Sequence, residues 1–232
     1  MANKDRQSKD SARVALVTGG TAGLGLALTR QLAEDGWHVI TDGRAAERIA
    51  AAGFPDSVTA IAGDITDADH RAALVAAVGA AGRLDLLVHN ASTLGPLPMR
   101  PLVEISIAEM AEAWRTNVGA PLVLTGELLP WMRAGESTLV SISSDAAVNH
   151  YETWGLYGAG KAALDHVTLT YGAETGVAAY AVDPGDMRTQ MHQDAFPGED
   201  ISDRPLPETV VPGLLRLLEK RPDSGRYRAE DF

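Results

Sequence analysis

Val14-Ala-Leu-Val-Thr-Gly-Gly-Thr-Ala-Gly-Leu-Gly-Leu-Ala-Leu-Thr-Arg-Gln-Leu-Ala33 decides the fold. Val14–Val17 is a short apolar run that reads as a buried strand. Leu26, Ala27, Leu28, Leu32 and Ala33 recur on one face of a helix, and Gly36 marks its end. Between them Gly19, Gly23 and Gly25 form a Thr-Gly-x-x-x-Gly-x-Gly turn. Glycines at a strand-to-helix junction allow a tight turn and let the backbone approach a pyrophosphate at the helix N-terminus.

The alternation continues outward. Trp37–Thr41 is a second strand leading into Asp42-Gly43-Arg44, and 45–52 reads as an Ala-rich helix. Ser57–Ile61 is a third strand closed by Gly63-Asp64. Thr66-Asp-Ala-Asp69 resembles a helix N-cap with acids in the first turn, opening a helix that runs to Gly82. Leu84–Val88 is a fourth strand, followed by His89-Asn90-Ala91-Ser92. A Pro-rich loop then leads to a long helical stretch over Ile107–Met132, bounded or kinked by Pro121 and Pro130. Ser137–Ser143 is a fifth strand, a helix reaches Glu174, and Val177–Val182 is a sixth strand ending in Asp183-Pro184-Gly185. Residues 186–207 read as a polar, irregular substrate loop, Leu206–Leu218 as a last helix and Gly225–Ala229 as a terminal strand. Strands alternating with helices predict an α/β fold: a doubly wound, Rossmann-like parallel sheet of six to seven strands with helices on both faces. The expected organisation is a flexible arm over 1–12 and a single dinucleotide-binding catalytic domain over 13–232.

Composition narrows the function. The 232 residues are 45% hydrophobic and 22% charged, as in a folded globular protein. A net charge of −11 opposes attraction to nucleic acid or anionic lipid. There is no cysteine, which excludes disulfides and a Cys nucleophile. No His-x-x-x-His pair is present, so no metal site is expected. The first residues carry no apolar signal core and no run is long enough to cross a membrane, so a cytoplasmic protein is expected.

In open parallel sheets, ligands bind outside the carboxyl ends of the strands. The polar signals of this chain collect there: the glycines after strand one, Arg44 after two, Asp64 after three, Asn90 after four, Ser144 after five, Pro184-Gly185 after six. Arg44 lies where the adenosine ribose of a dinucleotide would sit, and a guanidinium there suits a 2′-phosphate. Asp42 beside it complicates that reading, because an inward carboxylate repels phosphate. Tyr157-Gly-Ala-Gly-Lys161 places a phenol and an ammonium on one helix face. A nearby cation favours the phenolate and lowers the Tyr pKa, which makes Tyr157 a proton donor or acceptor. Trp114, Tyr151, Trp154, Met187, His89 and His150 fall near the crevice and could line it.

In these motifs and their order, over about residues 13–190, the chain resembles the short-chain dehydrogenase/reductase family, in its short single-domain branch. The resemblance implies hydride transfer between a nicotinamide cofactor and a carbonyl or alcohol, with Asn117, Ser144, Tyr157 and Lys161 as catalytic residues. Tyr157 would be the acid/base. Lys161 would hold the ribose hydroxyls, Ser144 would bond the substrate oxygen, and Asn117 would hold a water linking Lys161 to solvent. Cofactor contacts would come from Gly19, Thr21, Gly23, Leu24, Arg44, Asp64, Ile65, Asn90, Tyr157, Lys161, Pro184, Gly185 and Thr189. Asp64 corresponds to the acid that contacts adenine, and Pro184-Gly185-x-x-x-Thr189 to the loop that meets the nicotinamide. NADP(H) is expected in preference to NAD(H), and a homodimer or homotetramer is implied. His89 and Ser92 depart from the family's Asn-Asn-Ala-Gly. Two alternatives use the same fold: a non-catalytic nucleotide sensor, and an epimerase or dehydratase that retains NAD.

Overall fold

The computed structural model describes residues 12–232. Residues 1–11 of the expected N-terminal arm therefore lie outside the described residues. The strands are β1 Val14–Val17, β2 His38–Gly43, β3 Val58–Ala62, β4 Leu86–His89, β5 Thr138–Ile142, β6 Ala178–Asp183 and β7 Gly225–Arg228. They form a seven-stranded sheet in the order β3-β2-β1-β4-β5-β6-β7, and every pairing is parallel. The helices between them are α1 Gly23–Glu34, α2 Ala46–Ala52, α3 Ala68–Ala81, α4 Ile107–Trp114, α5 Ala120–Leu128, α6 Gly155–Thr175, α7 Gln190–Ala195 and α8 Val211–Lys220.

Strands buried on both faces read as continuous apolar runs, and β1 and β5 are buried along their whole length. One face of the sheet packs Ala15, Val17, Val88 and Val182 under Leu28 and Leu32 of α1 and Leu214 and Leu217 of α8. The other packs Leu16, Ile40, Leu87 and Leu139 under Leu74 and Val78 of α3 and Leu124 and Leu128 of α5. Each fully buried Leu or Ile contributes roughly 1.5–3 kcal/mol by leaving water. β1 pairs with β2 on one side and β4 on the other. The chain direction across the sheet reverses there, which opens a crevice above the β1 and β4 ends.

Three expectations change. The helical stretch over 107–132 is interrupted by a π turn at Arg115–Gly119, between α4 and α5. Pro121 lacks the N–H that an α-helix would aim at the Asn117 carbonyl, so regular helical bonding cannot run through this point. The irregular segment 186–207 contains α7, capped by the Thr189 hydroxyl, which accepts from the His192 N–H. The last helix begins later than its apolar pattern suggests, because Pro212 occupies its first turn. The chain before it makes a separate short 3₁₀ turn at Pro207–Thr209.

Candidate active site

The turn after β1 is assembled by groups from three strands. Gly19 and Gly23 have φ of +69° and +51°, which L side chains rarely adopt. The Asn90 amide donates to the carbonyls of Thr18 (2.9 Å) and Gly19 (3.2 Å), while the Thr18 hydroxyl accepts from the N–H groups of Asn90 and Ala91. Asp42 also belongs to this turn. Its carboxylate accepts from the Gly19 N–H at 2.6 Å and pairs with His70 of α3 at 2.9 Å, and both side chains are buried. The carboxylate therefore points down into the turn's foundation. This removes the conflict with a phosphate that its position beside Arg44 suggested.

The N-terminus of α1 has no side-chain cap and no acid in its first turn, so its amides are left for an anion. Across the crevice, the Thr189 methyl lies 3.3 Å from where a Gly23 side chain would begin. The loop after β6 and the N-terminus of α1 thus face each other. Leu24 is buried behind the turn, and Thr21 packs over Gly43, where any Cβ would fall 2.4 Å from the Thr21 hydroxyl. Arg44 is exposed beyond β2, and its charge adds to the Thr66 hydrogen bonds that, against burial, hold the Asp64 carboxyl below its ordinary pKa. Asp64 accepts from the Thr66 N–H and hydroxyl at 2.8 Å, and Ile65 is buried below it. Gly185, at φ +74°, donates to Asp183 at 3.0 Å and turns the chain after Pro184.

On the other side of the crevice, Tyr157 and Lys161 are 8% and 2% exposed on α6. The Lys161 ammonium lies 5.5 Å from the Tyr157 ring centre and donates to the Ile142 carbonyl at 2.7 Å. An ammonium has three protons, so this bond leaves capacity for a ligand. Burial lowers the Lys161 pKa from 10.5 to about 8, against the attraction of Asp165. The phenol departs from the expected direction. Burial raises the Tyr157 pKa above its ordinary value and outweighs the opposing influence of the nearby Ser92 and Ser144 hydroxyls, which lower it. The phenol is therefore a proton donor throughout the neutral range.

Ser144 caps the short turn at Asp145–Ala147. Its hydroxyl accepts from the Ala146 N–H and donates to Asp145, both at 3.2 Å. Asn117 is brought to the loop after β4: its amide oxygen accepts from the Thr93 N–H (2.9 Å) and the Ser92 hydroxyl (3.1 Å), and its NH₂ donates to the Thr93 carbonyl (2.8 Å). The side-chain oxygen is occupied in pinning that loop. Ser92, noted in sequence only as a departure, thereby joins Asn117 to Tyr157.

Trp154 stands edge-on to the Tyr157 ring, with Phe196 beyond it and His192 against Phe196. His89 does not line the crevice. It is buried against α5, bonded to Thr125 at 2.7 Å, and burial lowers its pKa to about 3, so it stays neutral. Met187 packs against the α1–α8 core. His150 is exposed, and no group of acids and histidines that could hold a metal occurs among the described residues. Nor, among them, is any helix long and apolar enough to cross a membrane.

A model of the short chain dehydrogenase family matches residues 13–200. The human dehydrogenase/reductase SDR family member 2, mitochondrial, is 33% identical over 198 residues, covering 80% of this chain and 69% of that protein. Serine 3-dehydrogenase of Agrobacterium fabrum is 33% identical over 181 residues, 75% of this chain and 72% of the other. A short chain dehydrogenase from Shigella flexneri, solved with NADP, superposes with a TM-score of 0.85 at 26% identity and covers 94% of this chain and 97% of that one.

Proposed function

The chain belongs to the short-chain dehydrogenase/reductase family, and from that membership we propose that it is an NADP(H)-dependent carbonyl reductase or alcohol dehydrogenase acting through Tyr157. The observation that carries the reading is a buried phenol in the neighbourhood of the Ser144 and Ser92 hydroxyls, with a buried ammonium 5.5 Å from its ring centre on the same helix face.

The cofactor fits residues already in place. Gly19, Thr21, Gly23 and Leu24 would seat the pyrophosphate at the uncapped end of α1, with Asn90 holding the turn. Asp64 and Ile65 would border the adenine, and Pro184, Gly185 and Thr189 the nicotinamide. Arg44 would pair with a 2′-phosphate. The NADP found in the Shigella flexneri relative supports that preference. When bound, the reduced nicotinamide supplies the hydride.

The chain's own groups carry the rest of the reduction. The Ser144 hydroxyl would turn its proton from Asp145 to the substrate oxygen and so set its position. Tyr157 gives its proton to that oxygen as the carbonyl carbon receives the hydride, so the C=O bond becomes CH–OH. Lys161 would hold the ribose hydroxyls, and its charge would stabilise the phenolate left behind. Asn117 anchors the loop carrying Ser92. Its carbonyl, which Pro121 cannot serve as a helical donor, would take the water that resupplies protons through Lys161. Substrate would be contacted by 92–101, 145–156 and 186–207, with Trp154, His192 and Phe196 as the aromatic wall.

The test is NADPH consumption across a panel of aldehydes and ketones, with Tyr157→Phe as control. Loss of turnover with retained NADPH binding is expected. Undiminished turnover in the variant would overturn the mechanism.

A further inference from the structure

β7 follows the last helix and carries none of the residues considered so far. Its Arg226 nevertheless reaches under the active site. The guanidinium donates to the Ser144 carbonyl at 2.8 Å, to Asp165 at 3.3 Å and to Asp183 at 3.4 Å. These partners belong to three different elements. Ser144 lies two residues beyond β5 and carries the hydroxyl assigned above to the substrate oxygen. Asp183 ends β6, and its other oxygen accepts from the Gly185 N–H, shaping the turn that borders the nicotinamide. Asp165 lies one helical turn beyond Lys161 on α6 and also accepts from the Ser143 hydroxyl at 2.7 Å.

We propose that Arg226 is a positioning residue for hydride transfer, clamping the Ser144 backbone and the Asp183–Gly185 turn in one geometry. The proposal rests on the oxidoreductase reading above.

The planar guanidinium suits this task. Its donors are fixed in a fork, so a single side chain can fix the relative placement of three acceptors. The two carboxylates are 11% and 6% exposed, whereas Arg226 keeps 25% of its side chain accessible at the edge of the sheet. Buried carboxylates of this kind need a paired cation, and removing it leaves uncompensated charge. Lysine could supply the charge but only as a compact point, without the fork. Ser144 is sensitive to this support. Its hydroxyl is oriented by the turn that its own backbone starts, and the Arg226 bond is made to the carbonyl at that start. A displacement on the order of 1 Å at reacting groups can cost about a hundredfold in rate.

The experiment compares wild type, Arg226→Met and Arg226→Lys with the best substrate of the panel. It measures kcat, both KM values, the isotope effect with NADPH deuterated at C4 of the dihydronicotinamide, and thermal midpoints. For Arg226→Met, kcat should fall roughly 10- to 100-fold per folded enzyme. The isotope effect should rise toward its intrinsic limit as the chemical step becomes limiting. For Arg226→Lys, kcat should recover only part of the loss even where the midpoint returns to that of wild type. A merely structural role would lower the midpoint and leave kcat and the isotope effect of the folded fraction unchanged, which would overturn the proposal. If Arg226→Met does not fold, Arg226→Lys decides: wild-type kcat and isotope effect refute positioning. Absence of turnover in wild type would overturn the oxidoreductase reading and this inference together. Turnover lost in Tyr157→Phe but kept in the Arg226 variants would overturn the inference alone.

Discussion

Lys161→Met should make the protein inactive and change its stability in a pH-dependent way. Lys161 is 2% exposed, and burial depresses its pKa from 10.5 to about 8. Between those values the unfolded chain holds a proton that the folded protein has released. Wild-type stability from this group therefore rises with pH through the window, and the full penalty applies below about pH 8. The depression corresponds to roughly 3 kcal/mol of destabilisation at neutral pH. Methionine removes that penalty but leaves the Ile142 carbonyl without its Lys161 partner, at a cost of about 1–3 kcal/mol. The net change at pH 7 is thus a small gain of about 0–2 kcal/mol. The pH trend is the sharper quantity, because other titrating groups cancel between the two proteins. The stability difference should move in favour of wild type by about 2 kcal/mol between pH 7 and about pH 9.5. Urea unfolding of cofactor-free protein, followed by far-ultraviolet circular dichroism at both pH values, measures it. A difference that stays flat, or that moves in favour of the variant, would refute the idea that Lys161 is held at an energetic cost by burial.

Arg44→Ala should raise the KM for NADPH far more than that for NADH, and equal effects would refute the 2′-phosphate contact. Gly25→Ala places a Cβ 2.3 Å from the Asn90 amide nitrogen and 2.5 Å from the Gly19 carbonyl oxygen, so one of them must move. A stability loss of about 1–3 kcal/mol by urea titration is expected, together with loss of NADPH binding by fluorescence; normal binding would show that the turn can shift without consequence. Ser92→Ala removes a hydrogen bond that lowers the Tyr157 pKa. Reduction requires the protonated phenol, so the part of the basic limb of the kcat/KM profile that belongs to Tyr157 should move to higher pH. An unmoved limb would remove Ser92 from the proton-transfer centre.

The legible part of this chain was local and periodic. The β1–turn–α1 unit, the alternation that produced β2 to β6, and the Tyr157–Lys161 spacing all rest on hydrophobic period and on backbone freedom at Gly19 and Gly23, which are encoded in short windows. Even β7, far down the chain, could be read as a strand. Relations between elements were not legible in this way. Asp42 looked like an obstacle to phosphate until its pairing with Gly19 and His70 put its charge under the turn. Asn117 looked like one residue of a long helix, although Pro121 carried a signal for the break. His89 alone at a strand end gave no direction, and the sheet turned it toward α5.

The Tyr157 pKa gives the clearest case. Spacing correctly placed an ammonium beside the phenol, and a neighbouring charge was the only effect that spacing could reveal. Desolvation depends on everything packed around the ring, including Trp154 from the segment before α6, and it set the opposite direction. The grip of Arg226 on Ser144, Asp165 and Asp183 is of the same kind, with sequence separations of 82, 61 and 43 residues. Sequence alone determined the alternation of strands and main helices and which polar groups follow the strands, because propensity and period act over a few residues. The tertiary structure decided which way each group faces, what charge it carries and what holds it, because burial and hydrogen bonding sum over neighbours that only the closed sheet brings together.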